Sequence, residues 1–189
     1  MNMSDETNVI AQVETPLGRA QLHLPINAQV SASATVTDVH PELPAGMRVD
    51  RTVRIDVQIK ALADIAPMMF AFLLDCADDQ GAPESGEGLE SVRFRVEGTQ
   101  LSLAARDAHW MLDHGVERKL VPAHLRADPF AADFASWLMH YRPQGFLVEI
   151  EKLHRGDTVI CPLAISYASA QPDSHDDEST WFAVDYALP

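Results

Sequence analysis

Apolar and polar residues alternate with a period of two through much of this chain. The clearest case is Thr52 to Lys60, where Val53, Ile55, Val57 and Ile59 alternate with charged or polar residues. Similar alternation marks residues 19–24, 27–37, 91–97, 100–105 and 146–153. Period-two alternation is typical of β-strands that bury one face. The pattern therefore predicts a strand-rich fold.

Short turns separate several of these predicted strands. The turn sequences are Thr15-Pro16-Leu17-Gly18, Gly98-Thr99 and His154-Arg155-Gly156-Asp157. Strands that follow each other across such turns favour antiparallel hairpins over parallel strands linked by helices. We therefore expect three hairpins, built from residues 9–24, 91–105 and 146–168.

Two segments fit helices better. In residues 61–75, Asp64 can cap a helix and Pro67 suits its first turn, although a buried strand is the alternative for this apolar run. In residues 129–141, the aromatic and apolar side chains recur at helical spacing. These are Phe130, Phe134, Trp137, Leu138 and Tyr141. Residues 180–188 are predicted to form a last strand by their alternation.

The elements together predict an α+β fold. We expect mainly antiparallel sheets of about eight to nine strands, in a sandwich or an open barrel-like arrangement, with two or three helices packed on them. Residues 1–8 are predicted to be a disordered tail and residues 9–189 a single domain. Within that domain, residues 78–90 are expected to form an acidic mobile loop and residues 171–178 a polar loop.

The net charge of the chain is strongly negative, and the charged residues are unevenly distributed along it. Its 189 residues include 28 acidic and 14 basic ones, for a net charge of −14. Residues 1–18, 61–92 and 156–189 contain no Lys or Arg, and the rest is nearly balanced. Phosphate binding needs a basic face, so nucleic acid is not an expected partner. The chain begins without a signal-like segment and has no apolar run of membrane length, which predicts a cytoplasmic protein and no membrane partner.

The motifs of common catalytic and metal sites are missing from the sequence. It contains no HExxH, no zinc-binding Cys/His pattern, no GxSxG and no phosphate-binding glycine loop. We therefore predict no catalytic residue, no metal site and no cofactor, and a non-enzymatic protein is the favoured interpretation. The best acid–base candidate is His109 with Asp113, which would lie one turn apart if residues 107–114 formed a helix.

Two further residue types have structural interpretations. Cys161 lies in an apolar run, which predicts a small buried hydrophobe. The arginines 48, 51, 54, 93 and 95 could form an anion site, but pairing across strands with acidic neighbours is the favoured interpretation.

The sequence thus favours a non-enzymatic interaction protein of the immunity, inhibitor or chaperone kind. Its acidic surface suits a basic protein partner, and apolar residues on both faces of strands favour a partner or a homo-oligomer. The predicted partner-binding residues are Asp75, Asp78, Asp79, Glu84, Glu87, Glu90, Asp173, Asp176, Asp177 and Glu178. One alternative is a β-rich domain that binds a small apolar ligand. The other is a hydrolase or isomerase that uses a His–Asp pair or a carboxylate-bound metal.

Overall fold

A computed structural model describes residues 7–25, 28–75, 84–85, 90–96, 98–105, 139–142, 145–150, 152–169 and 178–188. Within these residues lie eleven strands and one helix. The strands are β1 (Thr7–Thr15), β2 (Gly18–Pro25), β3 (Val30–Val39), β4 (Arg51–Ala61), β5 (Met68–Asp75), β6 (Glu84–Ser85), β7 (Glu90–Val96), β8 (Thr99–Ala105), β9 (Met139–Arg142), β10 (Gly145–Ile150) and β11 (Thr158–Ser169). The helix is α1 (Ser179–Ala187).

The strands form two antiparallel sheets. The five-stranded sheet has the order β1-β2-β5-β10-β9, and the six-stranded sheet has the order β3-β4-β11-β8-β7-β6. Buried side chains from both sheets belong to one continuous hydrophobic core. The described part of the chain is therefore a β-sandwich, with α1 packed on the outer face of the six-stranded sheet.

The alternating pattern explains why each sheet turns an apolar face to the core. In β4, the apolar side chains Val53, Ile55, Val57 and Ile59 are fully buried, while Gln58 and Lys60 are exposed. Across the core, Phe72 of β5 and Phe146 of β10 pack edge to face, with ring centroids 5.5 Å apart and ring planes at 79°. This geometry suits the charge distribution of aromatic rings. Apolar side chains at every second position thus assemble the interior.

Two of the predicted hairpins are confirmed. β1 pairs with β2 from Thr7↔Pro25 to Thr15↔Gly18. β7 pairs with β8 from Glu90↔Ala105 to Val96↔Thr99, and Gly98 in their turn has a φ of 82°. A positive φ of this size favours glycine, which has no Cβ.

The third predicted hairpin is wrong. β10 pairs with β5 and β9 in the five-stranded sheet, whereas β11 pairs with β4 and β8 in the six-stranded sheet. The turn at residues 154–157 therefore carries the chain from one sheet to the other. A hairpin and a crossover between stacked sheets can use the same local turn, so the turn sequence did not determine the pairing.

The helix predicted at residues 61–75 is also wrong, and the alternative of a buried strand is correct for residues 68–75. β5 lies in the middle of its sheet between β2 and β10. Its alternate residues Phe70, Phe72 and Leu74 are buried in the core. Both faces of this strand carry apolar residues, which hides the period-two signal in the sequence.

The secondary structure predicted for two more segments is wrong. Residues 180–188 were predicted to be a strand, but Ser179–Ala187 form α1. The helix predicted over residues 129–141 is wrong at its end, because Met139–Arg142 form β9; residues 129–138 lie outside the described residues. Within the predicted loop 78–90, Glu84–Ser85 form β6 and Glu90 begins β7, and the remaining positions are outside the described residues.

The fold class is thus confirmed in its coarse form, as antiparallel sheets with helix packed on them. The number of strands among the described residues is eleven rather than eight or nine, and one helix is found there instead of two or three. Within the described residues, no helix has the length and apolar character required to cross a bilayer.

Candidate functional site

α1 covers the outer face of the six-stranded sheet with one side and leaves the other side open. Its sheet-facing residues are spaced three or four apart, as required for one face of a helix. They are Ser179, Thr180, Ala183, Val184 and Ala187. Val184 and Ala187 pack with Ala104 of β8 and Ala164 of β11, whose small side chains allow the helix close to the strands.

A row of polar side chains lies under the beginning of α1. The strand register places Arg93, Ser102, Ser166 and Thr52 side by side across β7, β8, β11 and β4. All four are buried. Directly opposed residues in antiparallel strands share a face, so this row belongs to the same outer face as α1.

Hydroxyl groups join α1 to this row and to the segment before β4. The Ser102 hydroxyl donates a hydrogen bond of 2.9 Å to the Thr180 hydroxyl. The backbone N–H of Arg48 donates one of 3.2 Å to the Ser179 hydroxyl. A buried hydroxyl is costly unless it is hydrogen-bonded. These bonds therefore define where the first turn of the helix sits on the sheet.

A second contact holds the same end of the helix. The guanidinium carbon of Arg93 lies 3.7 Å from the centroid of the Trp181 ring, and Arg93 is only 7% exposed. A cation above an indole face is attracted by the ring's negative π-surface. In the strand register, Glu84 of β6 lies opposite Arg93. Arg93 thus links the edge of the sheet to α1.

The open side of α1 carries two aromatic residues. Phe182 and Tyr186 lie one turn apart and are 43% and 51% exposed. Glu178, just before the helix, is exposed, and Asp185 is half-buried beside Tyr186. No Lys or Arg occurs from residue 156 to residue 189. We call Glu178, Phe182, Asp185 and Tyr186 the acidic–aromatic stripe.

Four of the predicted partner-binding residues lie within the described part of the chain, at several places in the fold. Asp75 is exposed at the end of β5 in the five-stranded sheet, opposite Arg19. Glu84 and Glu90 lie in β6 and β7 of the six-stranded sheet, and Glu178 precedes α1. The other predicted residues lie outside the described residues: Asp78, Asp79, Glu87, Asp173, Asp176 and Asp177.

The acid–base candidates His109 and Asp113 also lie outside the described residues. Elsewhere, the isolated bridge between Ile65 and Leu153 brings Asp64 close to His154, with 3.7 Å between the Asp64 oxygen and the His154 Nδ1. The N–H of Arg155 donates a hydrogen bond to the Asp64 carboxylate, which lowers the pKa of that group. Both side chains of this contact are about 70% exposed, so it lies at the surface, where water screens the interaction.

Nucleophilic and metal chemistry find little support in the described ranges. Cys161 is buried as predicted, and burial raises the pKa of its thiol to about 12. A thiol with so high a pKa is a poor nucleophile at neutral pH. In the part of the chain that the structure describes, no group of three His, Cys, Asp or Glu residues could hold a metal ion.

Arg51 and Arg54 pair with acidic neighbours. Arg51 of β4 contacts Asp38 of β3 at 2.7 Å, and this hydrogen bond lowers the pKa of the Asp38 carboxyl. Arg54 contacts Asp56 on its own strand at 2.8 Å. These pairs take up arginines that an anion site would need.

Sequence reasoning missed the acidic–aromatic stripe because it assigned residues 180–188 to a strand. The signal was present in the spacing of Thr180, Ala183, Val184 and Ala187, which fits a helix face. Comparison with protein-family models, curated proteins and solved structures finds no match for this chain.

Proposed function

We propose that this protein binds a basic protein partner through the acidic–aromatic stripe of α1. The observation that carries the proposal is the exposure of Phe182 and Tyr186 on a helix whose opposite side is fixed to the sheet. Aromatic residues supply much of the binding energy at protein interfaces. A helix that is already ordered also loses little entropy on binding.

The charge around the stripe favours a basic partner. Glu178 and Asp185 belong to the stripe, and residues 156–189 contain no Lys or Arg. The Arg93 guanidinium that contacts Trp181 is only 7% exposed. The predicted acidic positions Asp173, Asp176 and Asp177 come shortly before α1 in the sequence and lie outside the described residues. Complementary charge accelerates association and makes it sensitive to salt, because exposed charges are screened over about 10 Å at 0.1 M salt.

The test compares a double variant with a matched control. Phe182→Ala with Tyr186→Ala removes both rings from the stripe, and Leu62→Ala with Ile160→Ala removes two exposed aliphatic side chains elsewhere. Each tagged chain is used to capture proteins from extract of the source cell at low and high salt, and bound proteins are quantified by mass spectrometry.

We expect the wild type to retain basic proteins at low salt and to release them at high salt. The double variant should retain them at least about tenfold less, since one interface aromatic is commonly worth more than 1.4 kcal/mol. The control variant should behave like the wild type. Equal capture by the double variant and the wild type would overturn the proposal.

A further inference from the structure

β3 forms an open edge of the six-stranded sheet. It pairs with β4 through ten consecutive positions, from Val30↔Ala61 to Val39↔Thr52, without a register shift. Among the described strands it is the last on that side of the sheet. The core-facing positions of β3 become more exposed along the strand, from Val30 at 3% to Val36 at 45%. The second half of β3 is thus less well covered than the first half.

The other described edge strands have features that discourage pairing. β1 has a register shift between Val9 and Ala11, and β9 and β6 contain only four and two residues. Proteins commonly protect sheet edges with bulges, short strands, proline or lysine. β3 contains neither proline nor lysine, and its single charge, Asp38, pairs with Arg51 of β4. A long, regular and nearly uncharged edge is suited to accept another strand.

The local charge indicates which strand it accepts. Residues 28–61 contain four basic residues (Arg48, Arg51, Arg54, Lys60) and four acidic ones (Asp38, Glu42, Asp50, Asp56), so this segment is neutral in a chain of net charge −14. A basic partner is attracted to the acidic regions instead. Two copies that meet at neutral segments avoid the repulsion that their net charge would cause elsewhere.

We propose that β3 pairs antiparallel with β3 of a second copy, so that two six-stranded sheets join across a twofold axis. A symmetric contact of this kind uses the same surface twice and closes the edge of both copies. With Thr35 on the axis, Val36 meets Ala34 of the second copy, and Asp38 meets Ala32. The pairing then covers the exposed valine and keeps the two Asp38 side chains apart.

The first test is the mass in solution by light scattering over a wide range of concentration. The wild type should show twice the mass of one chain. Val36→Lys should raise the dissociation constant of the dimer at least about tenfold, which corresponds to 1.4 kcal/mol. Ile160→Lys also replaces an exposed β-branched side chain with lysine, at a site that is 63% exposed on β11, outside β3, and it should leave the dimer intact.

Circular dichroism of both variants checks that they remain folded. A wild type that stays a single chain at high concentration would overturn the proposal. So would a folded Val36→Lys variant that associates as the wild type does, or an equal loss of association in Ile160→Lys.

A second test locates the contact by disulfide formation. Ser33, Thr35 and Thr37 are each changed to Cys in a Cys76→Ser background, where Cys161 remains buried. Thr35 on the twofold axis faces Thr35 of the second copy within disulfide distance, so Thr35→Cys should form a disulfide between two copies. Ser33 and Thr37 face each other across the axis, and each lies too far from its own counterpart to cross-link as a single variant. Gln58→Cys, exposed on the internal strand β4, should not cross-link either. If Thr35→Cys does not cross-link, or if Gln58→Cys cross-links equally well, the β3 pairing is refuted.

Discussion

Gly145 begins β10 opposite Leu73 of β5. Its φ is +153°, and a Cβ added there would overlap the backbone carbonyl oxygen of Phe72 and lie 3.1 Å from the Cα of Leu73. The obstacle is backbone in the middle of a sheet, which cannot rotate away as a side chain can. We therefore expect Gly145→Ala to push β10 away from β5.

The cost of this substitution has two parts. An alanine with positive φ costs about 1–2 kcal/mol relative to a favoured conformation. Forcing an extra methyl group into a packed site costs about 1–3 kcal/mol. The free energy of unfolding should thus fall by about 2–5 kcal/mol, a large part of the ~5–15 kcal/mol that holds a typical domain folded.

Gly156→Ala measures the cost of a positive φ without the steric overlap. Gly156 has a φ of +97°, but a Cβ there would meet nothing within 4 Å. This variant should lose only about 1–2 kcal/mol. The difference between the two variants measures the close approach of β10 to Phe72.

Urea unfolding followed by tryptophan fluorescence and by circular dichroism gives both values. With a slope of about 2 kcal/mol per molar urea, the extra cost in Gly145→Ala should lower the midpoint by about 0.5–1.5 M relative to Gly156→Ala. Equal midpoints for the two variants would refute the placement of Gly145 against β5, and with it the assignment of residues 68–75 to a strand paired with β10.

Two further predictions concern the core. Phe72→Ala should lower the free energy of unfolding by about 3–5 kcal/mol, because it removes a buried ring that packs on Phe146. Phe182→Ala, at an exposed position, should lower it by under about 1 kcal/mol in the same urea assay. Equal losses in the two variants would contradict the assignment of Phe72 to the core. The Cys161 thiol should resist alkylation at pH 8 until the chain unfolds. Because its pKa is about 12 when folded against an ordinary value of 9.0, stability should decline as pH rises from 9 toward 12, and more steeply in the wild type than in Cys161→Val. Identical pH dependence of the two proteins, or rapid labelling of the folded one, would show that the thiol is accessible.

The sequence was most informative where one strand face is polar. β4 and the hairpins β1–β2 and β7–β8 alternate clearly, because one side of each strand meets the core while the other carries charged or polar groups along most of its length. Such strands can be predicted from their own residues alone, since the alternation of side chains between two faces follows from the strand backbone.

The errors occurred where a short segment is apolar on both sides or mixes two periods. Residues 68–74 of β5 are all apolar, so neither a period of two nor one of 3.6 stands out. In residues 180–188, alternation and helical spacing both fit. The choice between them depends on which surface the segment packs against, and that surface comes from distant strands.

The candidate site was predictable only in its charge. The acidic residues before α1 were recognised from the sequence, but Phe182 and Tyr186 were assigned to a strand. The row that anchors the helix could not be foreseen at all, because Thr52, Ser102 and Ser166 come from three strands that are far apart in the chain.

The position of β11 in the six-stranded sheet affects how the protein folds during its synthesis. β11 joins β4 to β8, yet residues 158–169 are synthesised after both. Until they leave the ribosome, β3–β4 and β7–β8 are separate hairpins, and the Val- and Ile-rich β4 has an unpaired edge. Nascent chains with such edges are prone to aggregate. We therefore expect translational pausing before residue 158 to lower the yield of folded protein more than pausing after residue 169.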